Sequence, residues 1–316
     1  MRHKLLVLFF LSIPITVFAQ PQSGMAIYRL WDLEEHNTAF FSMSDSYWLS
    51  EHPDSICAPD TCIGEGLKDE VVRYFELKGK YRRLFMQGTQ TKESDKVYVY
   101  DFRQNKEVAY KVKDLKLMAL LSPYEGAEYG AVGPYSYMIG FEIPKKELMD
   151  CSPYFRDVFV AVEAKSPFAK KEMEAIRWKE IDTLDCPAFP LNYLDTVYGV
   201  LNFHANKVFI SHWKNYVYYL QVAGEHYYSN MRLLVIDDDS KEIVGNFRYF
   251  SGESASSAPL NFMNPESPDQ ISQWTGQLFK NRPPVVFGFQ YHSFGCASID
   301  FLGNEMSLEI SCDNRH

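Results

Sequence analysis

The stretch YVYDFRQNKEVAYKV, residues 98–112, contains the pattern that decides the fold. Aromatic and β-branched residues alternate with other residues on both sides of Asp101, and a period of two is typical of β-strands. An Asp at the end of a strand favours a turn, because its side chain accepts hydrogen bonds from the backbone that follows. The stretch therefore predicts a hairpin of two antiparallel strands that meet just after Asp101.

Three other stretches repeat this order of strand, Asp, polar turn and strand. They are YRLWDLEEHNTAFF (28–41), LVIDDDSKEIVGNF (234–247) and SIDFLGNEMSLEI (298–310), with the repeated position at Asp32, Asp237 and Asp300. Similar alternating runs occur between them. We predict a mainly β fold of antiparallel sheets, arranged either as a sandwich or twin-sheet protein or as propeller-like hairpin repeats.

Two segments depart from the strand pattern and predict short helices near 167–181 and 268–281. Each begins with Ser-Pro, at Ser166 and Ser267, which places a capping hydroxyl before a proline at the first helical position. Apolar residues follow at roughly helical spacing. We expect both helices to pack against the sheets through these apolar residues.

The N-terminal sequence MRHKLLVLFFLSIPITVFAQ resembles a secretory leader in all three of its regions. A short basic head precedes an apolar core, and Val17-Phe18-Ala19 supplies a small-residue cleavage site. We predict a signal peptide over 1–19 and a mature β-rich region over 20–316. The mature region is either one unit or two halves, about 20–150 and 190–316, joined by a partly helical segment. No later apolar run approaches about 20 residues, so we expect an exported protein, periplasmic or secreted, without an integral membrane segment.

Six cysteines follow the leader, and an even number in an oxidising compartment predicts disulfides. Six cysteines allow 15 connectivities, of which sequential pairing is the simplest. That pairing is Cys57–Cys62, Cys151–Cys186 and Cys296–Cys312. The first pair has the spacing of a zinc half-site, but no second half-site accompanies it, so no metal is predicted.

The charge and the motifs argue against several functional classes. The net charge of −9 repels phosphate backbones, which excludes nucleic acid as a partner and suits a basic protein instead. No phosphate-binding loop or dinucleotide fingerprint occurs, so no cofactor is predicted. The segment GESAS, 252–256, lacks the final glycine of a nucleophile elbow. We predict no catalytic residue. The sequence favours a protein without enzymatic activity but does not decide the question.

Aromatic loops remain as candidate binding surfaces, because Tyr and Trp offer a large contact area with little side-chain entropy to lose. They lie within 45–54, 122–137 and 225–230. The predicted binding residues are Tyr47, Trp48, Tyr124, Tyr129, Tyr135, Tyr137, Tyr227 and Tyr228. We expect an exported, non-enzymatic protein that recognises another protein, of inhibitor or toxin-neutralising type. The alternative is a carbohydrate-binding protein, or a glycosidase that uses paired carboxylates.

Overall fold

The computed structural model describes residues 25–47, 73–125, 134–148, 151, 155–171, 173–190, 205–224, 230–263, 270–293, 295–303 and 306–313. This part of the chain is mainly β, as the sequence predicts. The predicted signal peptide and the pair Cys57 and Cys62 lie outside it. Within it, no helix is both long and apolar enough to cross a bilayer.

The described residues form 21 strands and one α-helix, α1 (Lys80–Gly88), besides short 3-10 turns. The strands are β1 (Ile27–Arg29), β2 (Trp31–Leu33), β3 (Thr38–Ser42), β4 (Tyr74–Glu76), β5 (Lys96–Asp101), β6 (Lys106–Lys111), β7 (Leu117–Leu121), β8 (Tyr137–Pro144), β9 (Val158–Glu163), β10 (Met173–Ala175), β11 (Lys179–Ile181), β12 (Lys207–Trp213), β13 (Tyr216–Ala223), β14 (Asn230–Asp237), β15 (Ile243–Tyr249), β16 (Ala255–Ser257), β17 (Trp274–Gly276), β18 (Val285–Phe287), β19 (Gln290–His292), β20 (Ser298–Phe301) and β21 (Ser307–Ser311).

These strands form four sheets. The N-terminal sheet has the order β2-β3-β8-β7-β4, and the meander sheet runs in chain order from β11 to β15. The central sheet has nine strands in the order β10-β17-β18-β20-β21-β1-β9-β5-β6, and the small sheet pairs β16 with β19. In the central sheet β1 runs parallel to β21, with Ile27 opposite Ile310. This pairing joins the first and last strands of the described chain.

Three apolar cores lie between the sheets. The first core packs Phe41 and Phe141 of the N-terminal sheet against strands β5 and β9 of the central sheet. The second core combines residues from both halves of the central sheet, such as Tyr98 of β5 and Ile299 of β20, so this sheet folds over on itself. The third core packs the meander sheet against the β18 side of the central sheet. Face-to-face packing of this kind is typical of sandwiches.

All four stretches with the repeated Asp form antiparallel hairpins, namely β2–β3, β5–β6, β14–β15 and β20–β21. In two of them the Asp starts the turn as predicted. The backbone N–H of Gln104 donates to Asp101 at 2.8 Å, and those of Asp239 and Ser240 donate to Asp237 at 2.9 and 3.0 Å. The local signal for hairpins is therefore confirmed.

The prediction of two helices, near 167–181 and 268–281, is wrong. The described residues of 167–181 form β10 and β11, and those of 268–281 form β17. Ser166 does accept a hydrogen bond from the backbone of Phe168, at 3.2 Å, but this bond closes a turn and not a helix. Phe168 then forms an isolated bridge with Phe279, and both rings are buried in the second core. Tertiary packing thus overrides the local capping signal.

The cysteine pairing is confirmed in one case and wrong in another. Cys296 and Cys312 form a disulfide with a Cα–Cα distance of 5.6 Å. Cys151 and Cys186 are not bonded to each other, because the fold places them in different regions. Cys151 packs against the first core, whereas the Cys186 sulfur accepts a hydrogen bond from Gln221 on the meander sheet.

Candidate ligand-binding cleft

The structure separates the predicted binding tyrosines into core and surface residues. Tyr47 and Tyr137 are 2% and 0% exposed and pack edge to face against Phe85 and Phe75, at 5.2 Å between ring centroids in both pairs. They stabilise the first core and offer no surface to a partner. Trp48, Tyr129, Tyr227 and Tyr228 lie outside the described residues.

Tyr124 and Tyr135 lie at the surface, 46% and 53% exposed. They lie in the connection between β7 and β8, next to the point where the Ser122 N–H donates to the Ser136 carbonyl at 2.9 Å and closes the end of the ladder. The hairpin thereby brings these two predicted residues to one tip of the N-terminal sheet. Of the four predicted binding residues that the structure describes, two therefore lie in the core and two at this aromatic tip.

A cleft of about 660 Å³ lies at the end of the second core, and its floor is aromatic. The ring of Phe102 packs against Phe159, Phe287 and Trp274 at centroid distances of 4.9, 5.2 and 5.3 Å. All four rings belong to the second core and face the cleft at its end. The floor is therefore rigid, because each ring is held by its neighbours.

The turn after Asp101 places Phe102 in this floor. Asp101 lies opposite Val158 in the β5–β9 ladder, and the Phe102 N–H donates to the Asp157 carbonyl at 3.0 Å. These bonds extend the pairing of β5 with the start of β9 by one step beyond the strand. Residues 102–103 and 155–159 are consequently brought together on one wall of the cleft.

Three arginines line the cleft, namely Arg29, Arg103 and Arg156, and the described lining contains no lysine. Asp157 is the one carboxylate in that lining, and Arg103 contacts it at 3.5 Å. Burial raises the pKa of the Asp157 carboxyl, and the Arg103 guanidinium opposes this rise. The described lining therefore holds three guanidinium groups and one carboxylate, in a chain whose net charge is −9.

The opposite wall comes from β19 and from residues 270–272. The Tyr291 hydroxyl accepts a hydrogen bond from Gln270 at 2.9 Å and is hydrogen-bonded to the Ser272 hydroxyl at 3.0 Å. Tyr291 is 41% exposed, so its ring remains accessible from the cleft. Burial lowers the pKa of the neighbouring His292, which favours its neutral form, although Glu309 opposes this shift.

The geometry of this wall depends on Gly288. Its φ is +87°, and a Cβ at this position would lie 1.8 Å from the Ser272 carbonyl oxygen. Only a residue without a Cβ allows the two backbones to approach so closely. The Cys296–Cys312 disulfide lines the same cleft and links the segment before β20 to the end of β21. The close backbone approach at Gly288 and the disulfide both hold the backbone of this wall in place.

The described lining of the cleft is rich in aromatic and guanidinium groups and contains one carboxylate. Glycoside hydrolysis uses two carboxyl groups, and the described lining provides one, Asp157. No group of three or more His, Cys, Asp or Glu side chains that could hold a metal ion occurs among the residues that the structure describes. An aromatic floor beside guanidinium groups can instead hold a ligand that combines an apolar part with an anionic group.

A second, shallower hollow of about 580 Å³ lies on the meander sheet. Arg177, Lys179 and His212 line it together with Tyr219 and Asp185. The cleft has a floor of packed aromatic rings, whereas this hollow is lined by side chains of the meander sheet and of the segment that follows β11. We therefore take the arginine–aromatic cleft as the candidate site.

Sequence reasoning missed the cleft, because its residues come from distant segments. Arg29, Arg103, Gln270 and His292 carry no shared motif, and only the fold places them together. The one local signal is the Phe-Arg pair that directly follows the turn-forming Asp101. Comparison of the chain with protein-family models, with curated proteins and with solved structures finds no match.

Proposed function

We propose that the protein is an exported binding protein that recognises another protein and that the arginine–aromatic cleft is its binding site. The observation that carries the proposal is the combination of a rigid aromatic floor with three arginines in a cleft of about 660 Å³. Clefts of this size are common binding sites, and Tyr, Trp, Phe and Arg are the side chains enriched in protein interfaces.

Two further observations support this proposal. The leader-like N-terminal sequence and the Cys296–Cys312 disulfide are both typical of proteins that pass into an oxidising compartment. The single carboxylate of the described lining favours binding over sugar hydrolysis. The cleft also changes the expected partner, because its excess of arginine suits an acidic surface although the whole chain is acidic.

Site-specific photocrosslinking tests the proposal. Tyr291→p-benzoylphenylalanine places a crosslinker in the cleft, and Tyr135→p-benzoylphenylalanine is the matched control at the aromatic tip. Each purified protein is irradiated in an envelope extract of cells that naturally produce it, and adducts are identified by mass spectrometry. We expect a discrete polypeptide adduct from position 291 and none from position 135.

The other outcomes contradict the proposal in distinct ways. An adduct from position 135 alone would move the binding site to the aromatic tip. Hydrolysis of an oligosaccharide by the purified protein, or no polypeptide adduct from either position, would rule out the proposed function.

A further inference from the structure

Strand β19 of the cleft wall pairs on one side only, among the strands that the structure describes. Strand β19 pairs with β16, with Ser257 opposite Gln290 and Ala255 opposite His292. The bonds from the Ala258 N–H to the Phe289 carbonyl and from the Ser293 N–H to the Ser254 carbonyl continue this pairing at both ends. Among the strands that the structure describes, none pairs with the other edge of β19.

An open edge of this kind can receive a strand from another chain. Backbone N–H and C=O groups on such an edge are a template for an added strand, and many peptide-binding domains use this mode of recognition. All three residues of β19 line the cleft, and Tyr291 and His292 are exposed. A strand that pairs with β19 would therefore run along the cleft wall.

The side chains of an added strand would meet the floor and the arginines. Every second residue of a strand points to the same face, at a spacing of about 7 Å along the chain. Strand β19, the aromatic floor and Arg29, Arg103 and Arg156 line the same cleft, so a segment bound along β19 would lie among these groups. Guanidinium forks pair with carboxylates through two parallel hydrogen bonds, which a lysine ammonium group cannot form.

We infer that the cleft binds an extended, acidic polypeptide segment that adds a strand to the open edge of β19, with a carboxylate on the arginines and an apolar side chain on the aromatic floor. This inference rests on the proposed function and names its partner class. Backbone pairing with β19 would provide the affinity, and the alternation of acidic and apolar side chains would provide the specificity.

Selection from a library of randomised nine-residue peptides displayed on phage tests the inference. We expect the wild-type protein to enrich peptides that carry Asp or Glu two residues away from an aromatic or aliphatic residue. The double variant Arg103→Gln with Arg156→Gln should lose the acidic preference. Arg248→Gln is the matched control, because Arg248 lies on the meander sheet, where it donates to Asn246 at 2.8 Å.

The enriched peptide then provides the quantitative measurement. Replacing its Asp or Glu residues by Asn or Gln should weaken binding to the wild-type protein at least about tenfold, since hydrogen bonds between charged groups exceed 1.4 kcal/mol. Methylation of alternate backbone nitrogens should weaken binding by a similar factor if they pair with β19. Fluorescence anisotropy of the labelled peptide gives both values.

Failure of this inference can be told apart from failure of the proposed function. Neutral or basic enriched peptides, full binding by every backbone-methylated peptide, or no enrichment at all would overturn the inference. If the crosslink from position 291 still identifies a protein partner, the proposed function stands. Only the inference that this partner binds through an extended acidic segment is then wrong.

Discussion

At the scale of single residues, the repeated Asp does not have the same role in every hairpin. Asp101 and Asp237 start turns, whereas Asp300 lies within β20 and accepts a hydrogen bond from the Tyr249 hydroxyl at 2.9 Å. This bond links the central sheet to the meander sheet. Burial raises the pKa of Asp300 to about 6, although the Tyr249 bond opposes the rise. Burial and the nearby Asp300 charge raise the pKa of Tyr249 well above its usual value.

The raised pKa of Asp300 predicts a pH-dependent contribution to stability. The folded state binds the Asp300 proton more tightly than the unfolded state, so this contribution is most favourable below about pH 4 and is lost as the pH rises to about 6. We expect Asp300→Asn to be more stable than the wild type at pH 7.5 by about 1–2 kcal/mol, and this gain to disappear near pH 4. Urea unfolding at several pH values measures the difference.

Ser256→Ala provides the control for this prediction, because Ser256 lies in β16 and its hydroxyl does not titrate in this range. Its difference in stability from the wild type should not change between pH 4 and 7.5. A constant difference for Asp300→Asn as well would show that its carboxyl titrates alike in the folded and unfolded states.

At the scale of elements, the sequence predicts the hairpins well and the helices badly. A hairpin is a local object, so an alternating pattern around Asp101 or Asp237 suffices to define it. The Ser-Pro starts at 166 and 267 are local signals too, but a Ser hydroxyl can cap a helix or close a turn. The choice depends on partners far away in the chain, such as Phe279 for Phe168.

The wall of the cleft gives a second test at this scale. Gly288→Ala would place a Cβ 1.8 Å from the Ser272 carbonyl oxygen and force a side chain onto a φ of +87°. We expect a loss of about 1–3 kcal/mol in the free energy of unfolding, together with weaker binding in the cleft. Guanidinium chloride unfolding and the peptide anisotropy assay measure the two effects.

The matched control is Gly252→Ala, because a Cβ at that position has no neighbour within 4 Å. Its stability and its binding should both stay close to those of the wild type. Equal stabilities of the two variants would mean that the wall can shift and that Gly288 is not required for the close approach.

At the scale of the whole molecule, the cleft is a consequence of how the layers meet. The central sheet folds over the second core and brings β9, β18 and β21 to one end of that core. No local pattern could predict this, because Arg29 and His292 are separated by almost the entire described chain. Composition and periodicity predict sheets, whereas the contacts between sheets depend on which buried faces fit together.

The parallel pairing of β1 with β21 makes the C-terminal strand essential to this arrangement. The Cys296–Cys312 disulfide anchors β21 and closes a loop with a sequence separation of 16. Removing a bridge over a loop of this size lowers stability by about 3 kcal/mol, mainly because the unfolded chain gains freedom. We expect that loss for the double variant Cys296→Ser with Cys312→Ser, measured by denaturant unfolding without reductant.

Hydrogen exchange locates the effect of this bridge within the molecule. Amides of β21 and β1 should exchange faster in the double variant, because their pairing lies beside the bridge, whereas amides of the meander sheet should change less. Cys186→Ser is the control, since the Cys186 thiol lies on the meander sheet and forms no disulfide. Uniformly faster exchange in all sheets would contradict local anchoring and show that the bridge stabilises only the fold as a whole.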